Sequence, residues 1–221
     1  MRSVHDNTTQ GSNTTIPIPM PTTIQSMRNS TYEENTGDKN KRVSGLEANE
    51  QVAEVYQKEP IHIASRNGRV EVVKTLLDDG VDVNLVDEGG LTALHYACGF
   101  GHMGVASLLL GRGATIEHVT KYGCASLHTA CLHGQIKAVS LLLDCGAEVN
   151  QVTKHGCAPL YIACMRGHTD IATLLLDRGA HVDQVDNCGR TPLYVACDGG
   201  HNDIAALLLG RGAHVNQVVK E

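Results

Sequence analysis

The stretch TPLYVACDGGHNDIAALLLGRGAHVNQV, residues Thr191–Val218, decides the fold because copies of it recur upstream at a constant interval. Its first seven residues correspond to APLYIAC (Ala158–Cys164), ASLHTAC (Ala125–Cys131) and TALHYAC (Thr92–Cys98), with 33 residues from each copy to the next. A more divergent copy, EPIHIAS (Glu59–Ser65), lies one period further upstream. A repeat of about 20 to 50 residues indicates an array of stacked units, each too small to bury a core alone.

The second half of each copy repeats as well, as VVKTLLDDG, VASLLLGRG, AVSLLLDCG, IATLLLDRG and IAALLLGRG. Five repeats therefore fill residues 58–221. Their bounds are 58–90, 91–123, 124–156, 157–189 and 190–221.

The sequence pattern of each repeat predicts a pair of helices. In the fourth repeat Pro159 suits the first turn of a helix, where its missing N–H is not needed, and Gly167 ends that helix. The apolar spacing in 170–178 predicts a second, mostly buried helix. Gly179 then suits a left-handed C-terminal cap, and the D-N-C-G sequence at 186–189 predicts a turn.

These features together resemble the ankyrin repeat family, whose pattern combines a TPLH-type helix start, GH, a leucine run, GA and VN. All of them occur in Thr191–Val218, and the resemblance covers residues 58–221, about three quarters of the chain. It implies an all-α repeat solenoid of stacked helix-turn-helix ankyrin repeats with projecting β-hairpin loops. It also implies a module that binds proteins, with no catalytic residues, cofactor or metal.

Outside the repeats, residues 1–43 are rich in Ser, Thr and Asn and lack hydrophobic periodicity, so a disordered tail is predicted. The pattern of residues 44–57 predicts a short amphipathic lead-in helix. The first repeat carries Glu59 and Arg66 where others are less charged, which suits an N-terminal capping unit. The last repeat keeps an apolar leucine run, so stacking through an uncapped C-terminal end, or a longer protein of which this chain is a fragment, is expected.

The composition argues against several classes of protein. A net charge of −6 disfavours general nucleic-acid binding, which depends on clustered Lys and Arg. The sequence has no apolar stretch of about 18 residues and an N-terminus unlike a signal peptide, so neither a membrane span nor secretion is predicted. The cytoplasm is the expected compartment, with the nucleus as the alternative, and the eight cysteines are expected to be free thiols.

The cysteines and histidines raise the question of a metal site. One cysteine recurs in the same place of four successive repeats, as Cys98, Cys131, Cys164 and Cys197. Packed helices lie about 8–10 Å apart, whereas zinc–sulfur bonds of about 2.3 Å require much closer thiolates. We therefore expect these four cysteines to be core residues. The other four, Cys124, Cys145, Cys157 and Cys188, are predicted nearer the surface, where redox sensing is the alternative.

The histidines point to structure in the same way. His62, His95 and His128 share one place near the helix start, and Tyr161 and Tyr194 replace them in the later repeats. A catalytic base would not tolerate that exchange, whereas a hydrogen bond near the helix start would. A structural role is therefore predicted for this position.

The positions that vary among the repeats, at the loop tips and at the ends of the first helices, are the candidates for a partner-binding surface. In an ankyrin-type stack these positions line the concave face, where repeat proteins commonly bind. The mixture of aromatic, Lys, Arg and Met side chains fits a partly acidic protein partner. The candidate residues are Phe100, Lys121, Tyr122, Leu132, His133, Lys154, His155, Met165, Arg166, Asn187 and Arg190.

These sequence features support two functions. The first is a non-enzymatic protein-protein interaction module, an adaptor or scaffold that holds a partner protein on the concave face. The alternative is a substrate-recognition or docking arm of a larger protein, such as a ubiquitin-ligase adaptor, a channel or an enzyme. A metal- or redox-active protein is a third class, which bound zinc or a thiolate of low pKa would reveal.

Overall fold

The computed structural model describes residues 60–215, in which ten short helices form five pairs. The first helices of the pairs are α1 (Ile61–Arg66), α3 (Ala93–Gly99), α5 (Ser126–Leu132), α7 (Pro159–Arg166) and α9 (Pro192–Asp198). The second helices are α2 (Val70–Asp78), α4 (Met103–Gly111), α6 (Ile136–Asp144), α8 (Thr169–Asp177) and α10 (Asn202–Gly210). The predicted tail 1–43 and lead-in helix 44–57 lie outside the described residues.

The pairs stack in chain order. Each first helix contacts the first helix of the next repeat, and each second helix contacts the next second helix. The all-α stack predicted from the 33-residue period is therefore confirmed. The described helices have six to nine residues, and none of them is long and apolar enough to cross a bilayer.

The core consists of columns of equivalent aliphatic residues. One column has a leucine at the centre of every second helix, and Leu109, Leu142, Leu175 and Leu208 are fully buried within it. A parallel column runs through the first helices as Ala64, Ala97, Ala130, Ala163 and Ala196, all with 0% exposure. Fully burying one leucine contributes about 1.5–3 kcal/mol. Because every column crosses the repeat boundaries, each repeat depends on its neighbours for stability.

The loops between the repeats are tight turns. In the third repeat's loop the Thr153 N–H donates to the Cys157 carbonyl over 3.1 Å, and the other loops have the equivalent bond. The predicted β-hairpins are reduced to these turns, and the isolated bridge Val86–Thr92 is the β-bridge found among residues 60–215. Neighbouring loops are joined by backbone bonds, such as that from the Lys154 N–H to the Tyr122 carbonyl over 3.0 Å. The loops therefore form a connected row.

Glycines with positive φ occur in two different environments. Gly146 closes α6 at φ +91°, and a Cβ placed there would meet nothing within 4 Å. Gly156 lies in a loop at φ +78°, and its Cβ would lie 2.8 Å from the backbone nitrogen of Asn187 in the next loop. Gly146 is therefore required for its backbone conformation alone. Gly156 is required for its conformation and for the close approach of two loops.

This contrast predicts different costs for the same substitution. Gly146→Ala should lower the free energy of unfolding by about 1 kcal/mol, the cost of a left-handed residue. Gly156→Ala should lower it by about 2–3 kcal/mol, because the neighbouring loop must also move away from the new methyl group. Urea denaturation of the two variants would measure both losses. Equal losses would show that the loop contact contributes nothing to stability.

Candidate functional site

The ends of the first helices form a column of side chains that differ from repeat to repeat. Phe100 follows α3, and its ring stacks on the His133 ring at a centroid distance of 6.1 Å and an interplanar angle of 22°. The Arg66 guanidinium lies over the Phe100 ring, 5.2 Å from its centroid, within cation–π range. Arg66 was not among the sequence candidates. The sequence could have indicated Arg66, because it directly precedes Asn67, the residue that lies one repeat before Phe100.

His133 and Arg166 continue this column into the fourth repeat. The pKa of His133 is lowered by burial, and the nearby charges of Arg166 and His168 lower it further. His133 is therefore held in its neutral form, which suits a flat, stacked ring. The Arg166 side chain is partly exposed, but its Nε is buried and lacks a hydrogen-bond partner.

The loop tips carry the exposed candidates. Lys121, Tyr122, Lys154 and Asn187 are exposed, and Tyr122 shows 40% of its surface. The Asn187 backbone N–H donates to the His155 carbonyl over 2.9 Å, and its side-chain Nδ2 donates to the Lys154 carbonyl over 2.9 Å. These bonds hold the backbones of successive tips at a fixed spacing. His155 and Met165 are partly exposed.

Two candidates lie in other environments than the sequence predicted. Leu132 is 4% exposed, because the end of α5 is covered by the neighbouring repeats, so its side chain belongs to the core. The Arg190 guanidinium is engaged by Asp186, with Nε–Oδ2 and Nη2–Oδ2 distances of 2.8 and 2.7 Å. Its side chain is 17% exposed. Arg190 therefore serves the loop rather than presenting a free charge.

Asp186 is the centre of a buried hydrogen-bond network in the fourth loop. Besides Arg190, it accepts the Tyr161 hydroxyl over 2.9 Å and the backbone N–H groups of Cys188 and Arg190. Burial alone would raise the pKa of Asp186, but the hydrogen bonds from Arg190 and Tyr161 outweigh it and lower the pKa. The carboxylate is therefore ionised and fully partnered, with a structural role.

The histidine position predicted to be structural is confirmed as such. His95 Nδ1 accepts the Thr92 N–H over 3.2 Å, and Nε2 faces the Cys124 carbonyl of the next repeat at 3.0 Å. His128 makes the corresponding bonds to the Ala125 N–H and the Gln151 carbonyl. Each ring therefore caps its own helix and holds a loop with its other nitrogen. Tyr161 takes this place in the fourth repeat and reaches Asp186.

The division of the cysteines into buried and exposed residues differs in part from the prediction. Cys98, Cys131 and Cys164 are buried as expected, but Cys197 is exposed, since no described repeat follows α9 to cover it. Cys145 and Cys188 are exposed as predicted.

The surface prediction was wrong for Cys124 and Cys157, which are 1% and 3% exposed. The hydrogen bond of the Cys124 carbonyl to His95 draws that loop inward, and the Cys157 N–H bonds to Thr153 Oγ1 over 3.2 Å. Burial raises the thiol pKa of both to about 11, so neither is a reactive thiolate at neutral pH. Within residues 60–215, no three His, Cys, Asp or Glu side chains cluster in a way that could hold a metal ion.

Stacked helix pairs that recur every 33 residues, joined by a row of linked turns, define a helical repeat protein. A family model of ankyrin repeats (three copies) matches residues 61–153 and again 127–218. A protein of Fowlpox virus (strain NVSL) named as a putative ankyrin repeat protein, FPV223, is 44% identical over 52 residues. That match covers 24% of this chain and 37% of the relative. The chain belongs to the ankyrin repeat family, whose repeats generally mediate protein–protein interaction.

Proposed function

We propose that this protein is a non-enzymatic interaction module, an adaptor or scaffold that binds a partner protein on the concave face of the repeat stack. The observation that carries the proposal is the column at the ends of the first helices. The residues around this column are similar in every repeat. Phe100, His133 and Arg166, in contrast, occupy equivalent positions and differ from one another. A surface that changes on a constant framework is suited to specify one partner. The free thiols suit a reducing compartment such as the cytoplasm.

The chemistry of the surface supports binding. Aromatic and arginine side chains are the usual anchors of protein interfaces. Here Phe100 stacks on His133 and lies under the Arg66 guanidinium. The loop tips add two lysines and Tyr122 on backbones joined by hydrogen bonds. A preorganised surface loses less conformational entropy when a partner binds.

A comparison of three baits tests the proposal. The full chain, a Tyr122→Ala/Lys154→Ala/Met165→Ala variant and a control would each be incubated with cell extract, and retained proteins identified by mass spectrometry. The control variant, Lys74→Ala/Ile136→Ala/Lys137→Ala, changes side chains on the second helices. We expect a protein that the wild type and the control retain and the first variant loses. Retention that is identical on all three baits would place the partner away from Tyr122, Lys154 and Met165.

A further inference from the structure

A column of valines runs along the row of loops and lies partly outside the core. It consists of Val86, Val119, Val152 and Val185, which occupy the same place in four successive loops. The first three are 44%, 42% and 43% exposed, and Val185 is partly exposed. Single exposed apolar residues are common on protein surfaces, but a row of them marks an interaction site.

The backbone on both sides of each valine is held by hydrogen bonds. In the third repeat the carbonyl of Gln151, directly before Val152, faces His128 Nε2 at 2.9 Å. The next residue, Thr153, is 5% exposed, and its N–H donates to the Cys157 carbonyl. The other loops have the bond equivalent to that of Thr153. The valines are therefore fixed in position before a partner arrives, which reduces the entropy lost on binding.

Backbone conformation alone does not require valine in this column. Val86 forms the isolated β-bridge with Thr92, and β-branched residues suit such an extended backbone. Threonine is also β-branched and would expose a hydroxyl group in place of a methyl group. The apolar surface of the column is therefore an addition to what the loop conformation needs.

Two lysines lie beside the middle of the valine column. The residues two places after the valines are Glu88, Lys121, Lys154 and Asn187. Lys121 and Lys154 are exposed, and neither forms a salt bridge within the part of the chain that the structure describes. Glu88 is exposed at the first-repeat end. The column thus has a negative charge at one end and two positive charges beside its middle.

Other carboxylates near the valines are engaged within the stack. Glu117 and Asp183, each two residues before a valine, accept a backbone N–H of the next repeat over 3.0 and 3.1 Å. Asp87 and Asp186, each directly after a valine, accept N–H groups of their own loops and a tyrosine hydroxyl. These groups leave the two lysines available to carboxylates of a partner.

The spacing of the column fits an α-helix. Neighbouring helices of a stack lie about 8–10 Å apart, and backbone bonds between the loops keep the loops in step with them. About seven residues of an α-helix rise about 10.5 Å and return to the same face. In a β-strand about three residues cover this distance, but the third side chain points to the opposite face. A helix can therefore place one residue against each valine, whereas a strand cannot.

We propose that the valine column, Val86–Val119–Val152–Val185, binds an amphipathic helix of the partner protein. The helix presents an apolar residue at about every seventh position to the valines. It carries carboxylates beside the middle of this row, where they pair with Lys121 and Lys154. This inference rests on the proposed function and specifies the kind of segment that is bound.

Selection from two phage-displayed peptide libraries tests this inference with the full chain. In one library a helical scaffold of about 22 residues, long enough for three heptads, is randomised on one face. The other library contains fully random peptides of the same length. The most enriched peptides would then be made with a fluorescent label, and their affinities for the wild type and for four variants measured.

The variants form two matched pairs. Val119→Thr/Val152→Thr keeps the β-branched shape and removes apolar surface from the column, whereas Ile136→Thr/Leu209→Gln removes exposed apolar groups from the second helices. Lys121→Gln/Lys154→Gln removes the two charges beside the column. Lys74→Gln/Lys137→Gln removes two charges from exposed positions on α2 and α6. Thermal unfolding would first establish that each variant folds, and Val152→Thr alone would replace a double valine variant that does not.

The wild type should enrich helical peptides with an apolar residue at about every seventh position and acidic residues beside the middle one. The double valine variant should bind them at least about tenfold more weakly, because hydroxyl groups would be buried without partners. The variant lacking Lys121 and Lys154 should bind about threefold to tenfold more weakly, and added salt should weaken binding to the wild type. Both controls should bind as the wild type does. A proline in the middle of the peptide should abolish binding, since it breaks the helix.

Three results would overturn the inference. One is equal binding by the double valine variant and its control. The second is enrichment of peptides without the seven-residue apolar period, such as peptides with proline at about every third position, which form a polyproline helix. The third is enrichment of no peptide.

The captured partner separates this inference from the proposed function. A partner that Val119→Thr/Val152→Thr retains and the Tyr122→Ala/Lys154→Ala/Met165→Ala variant loses would overturn the helix on the valine column and leave the proposed function intact. Failure of every bait to capture a partner, together with enrichment of no peptide, would remove both.

Discussion

Replacing Asp186 with alanine is expected to lower the free energy of unfolding by about 3–5 kcal/mol, the cost of leaving one member of a buried ion pair alone. The Asp186 side chain is 2% exposed and that of Arg190 is 17% exposed, so water cannot fully replace the carboxylate. The Tyr161 hydroxyl would lose its acceptor at the same time. Urea denaturation at neutral pH would measure the loss.

The third repeat offers the matched control. Its loop has Thr153 and Cys157 in the places of Asp186 and Arg190, and Thr153 Oγ1 accepts the Cys157 N–H over 3.2 Å. The double variant Asp186→Thr/Arg190→Cys recreates that loop and leaves no guanidinium unpaired. It should lose less than half of what Asp186→Ala loses, since removing both partners of a polar pair costs less than removing one. Equal losses would show that the stranded Arg190 charge is not the cause.

Mild acid is expected to destabilise the repeat stack through its buried histidines. Burial lowers the pKa of His95 and of His128 from 6.5 to about 4, against opposing hydrogen bonds to backbone carbonyls. Below pH 6.5 the unfolded chain takes up protons that the folded chain does not, so stability falls with pH. Between pH 7 and 5 the two histidines together should remove about 4 kcal/mol from the free energy of unfolding. The loss is complete only once the pH falls through 4.

A variant without these two imidazoles separates their effect from other titrations. His95→Gln/His128→Gln should be less stable than the wild type at pH 7, because the helix caps are altered, yet lose much less stability between pH 7 and 5. His133 and His168 have lowered pKa values and add a smaller dependence of the same sign, which the variant retains. Asp186 contributes in a lower window, since its lowered pKa delays its protonation. An unchanged pH dependence would assign the acid sensitivity to other groups.

The sequence alone determined the repeat architecture, because the features that carry it are local. A glycine with positive φ, such as Gly167 at +76°, is required by its own backbone whatever surrounds it. The leucine and alanine columns are likewise visible as a period of 33, since equivalent residues of a stack face the same way. The cap formed by His95 could be predicted because it binds an N–H three residues away.

Only the tertiary structure decided which variable residues reach the surface. Leu132 and Cys124 resemble surface positions in the sequence, but the packing of neighbouring repeats and the bond from His95 place them inside. The sequence predicts an available charge at Arg190, but in the folded loop its guanidinium forms an ion pair with Asp186. Arg66, in contrast, joins the candidate site only through its contact with Phe100 in the next repeat. Exposure and pairing depend on residues one repeat away, so the period determines the stack while side-chain contacts between repeats shape its binding surface.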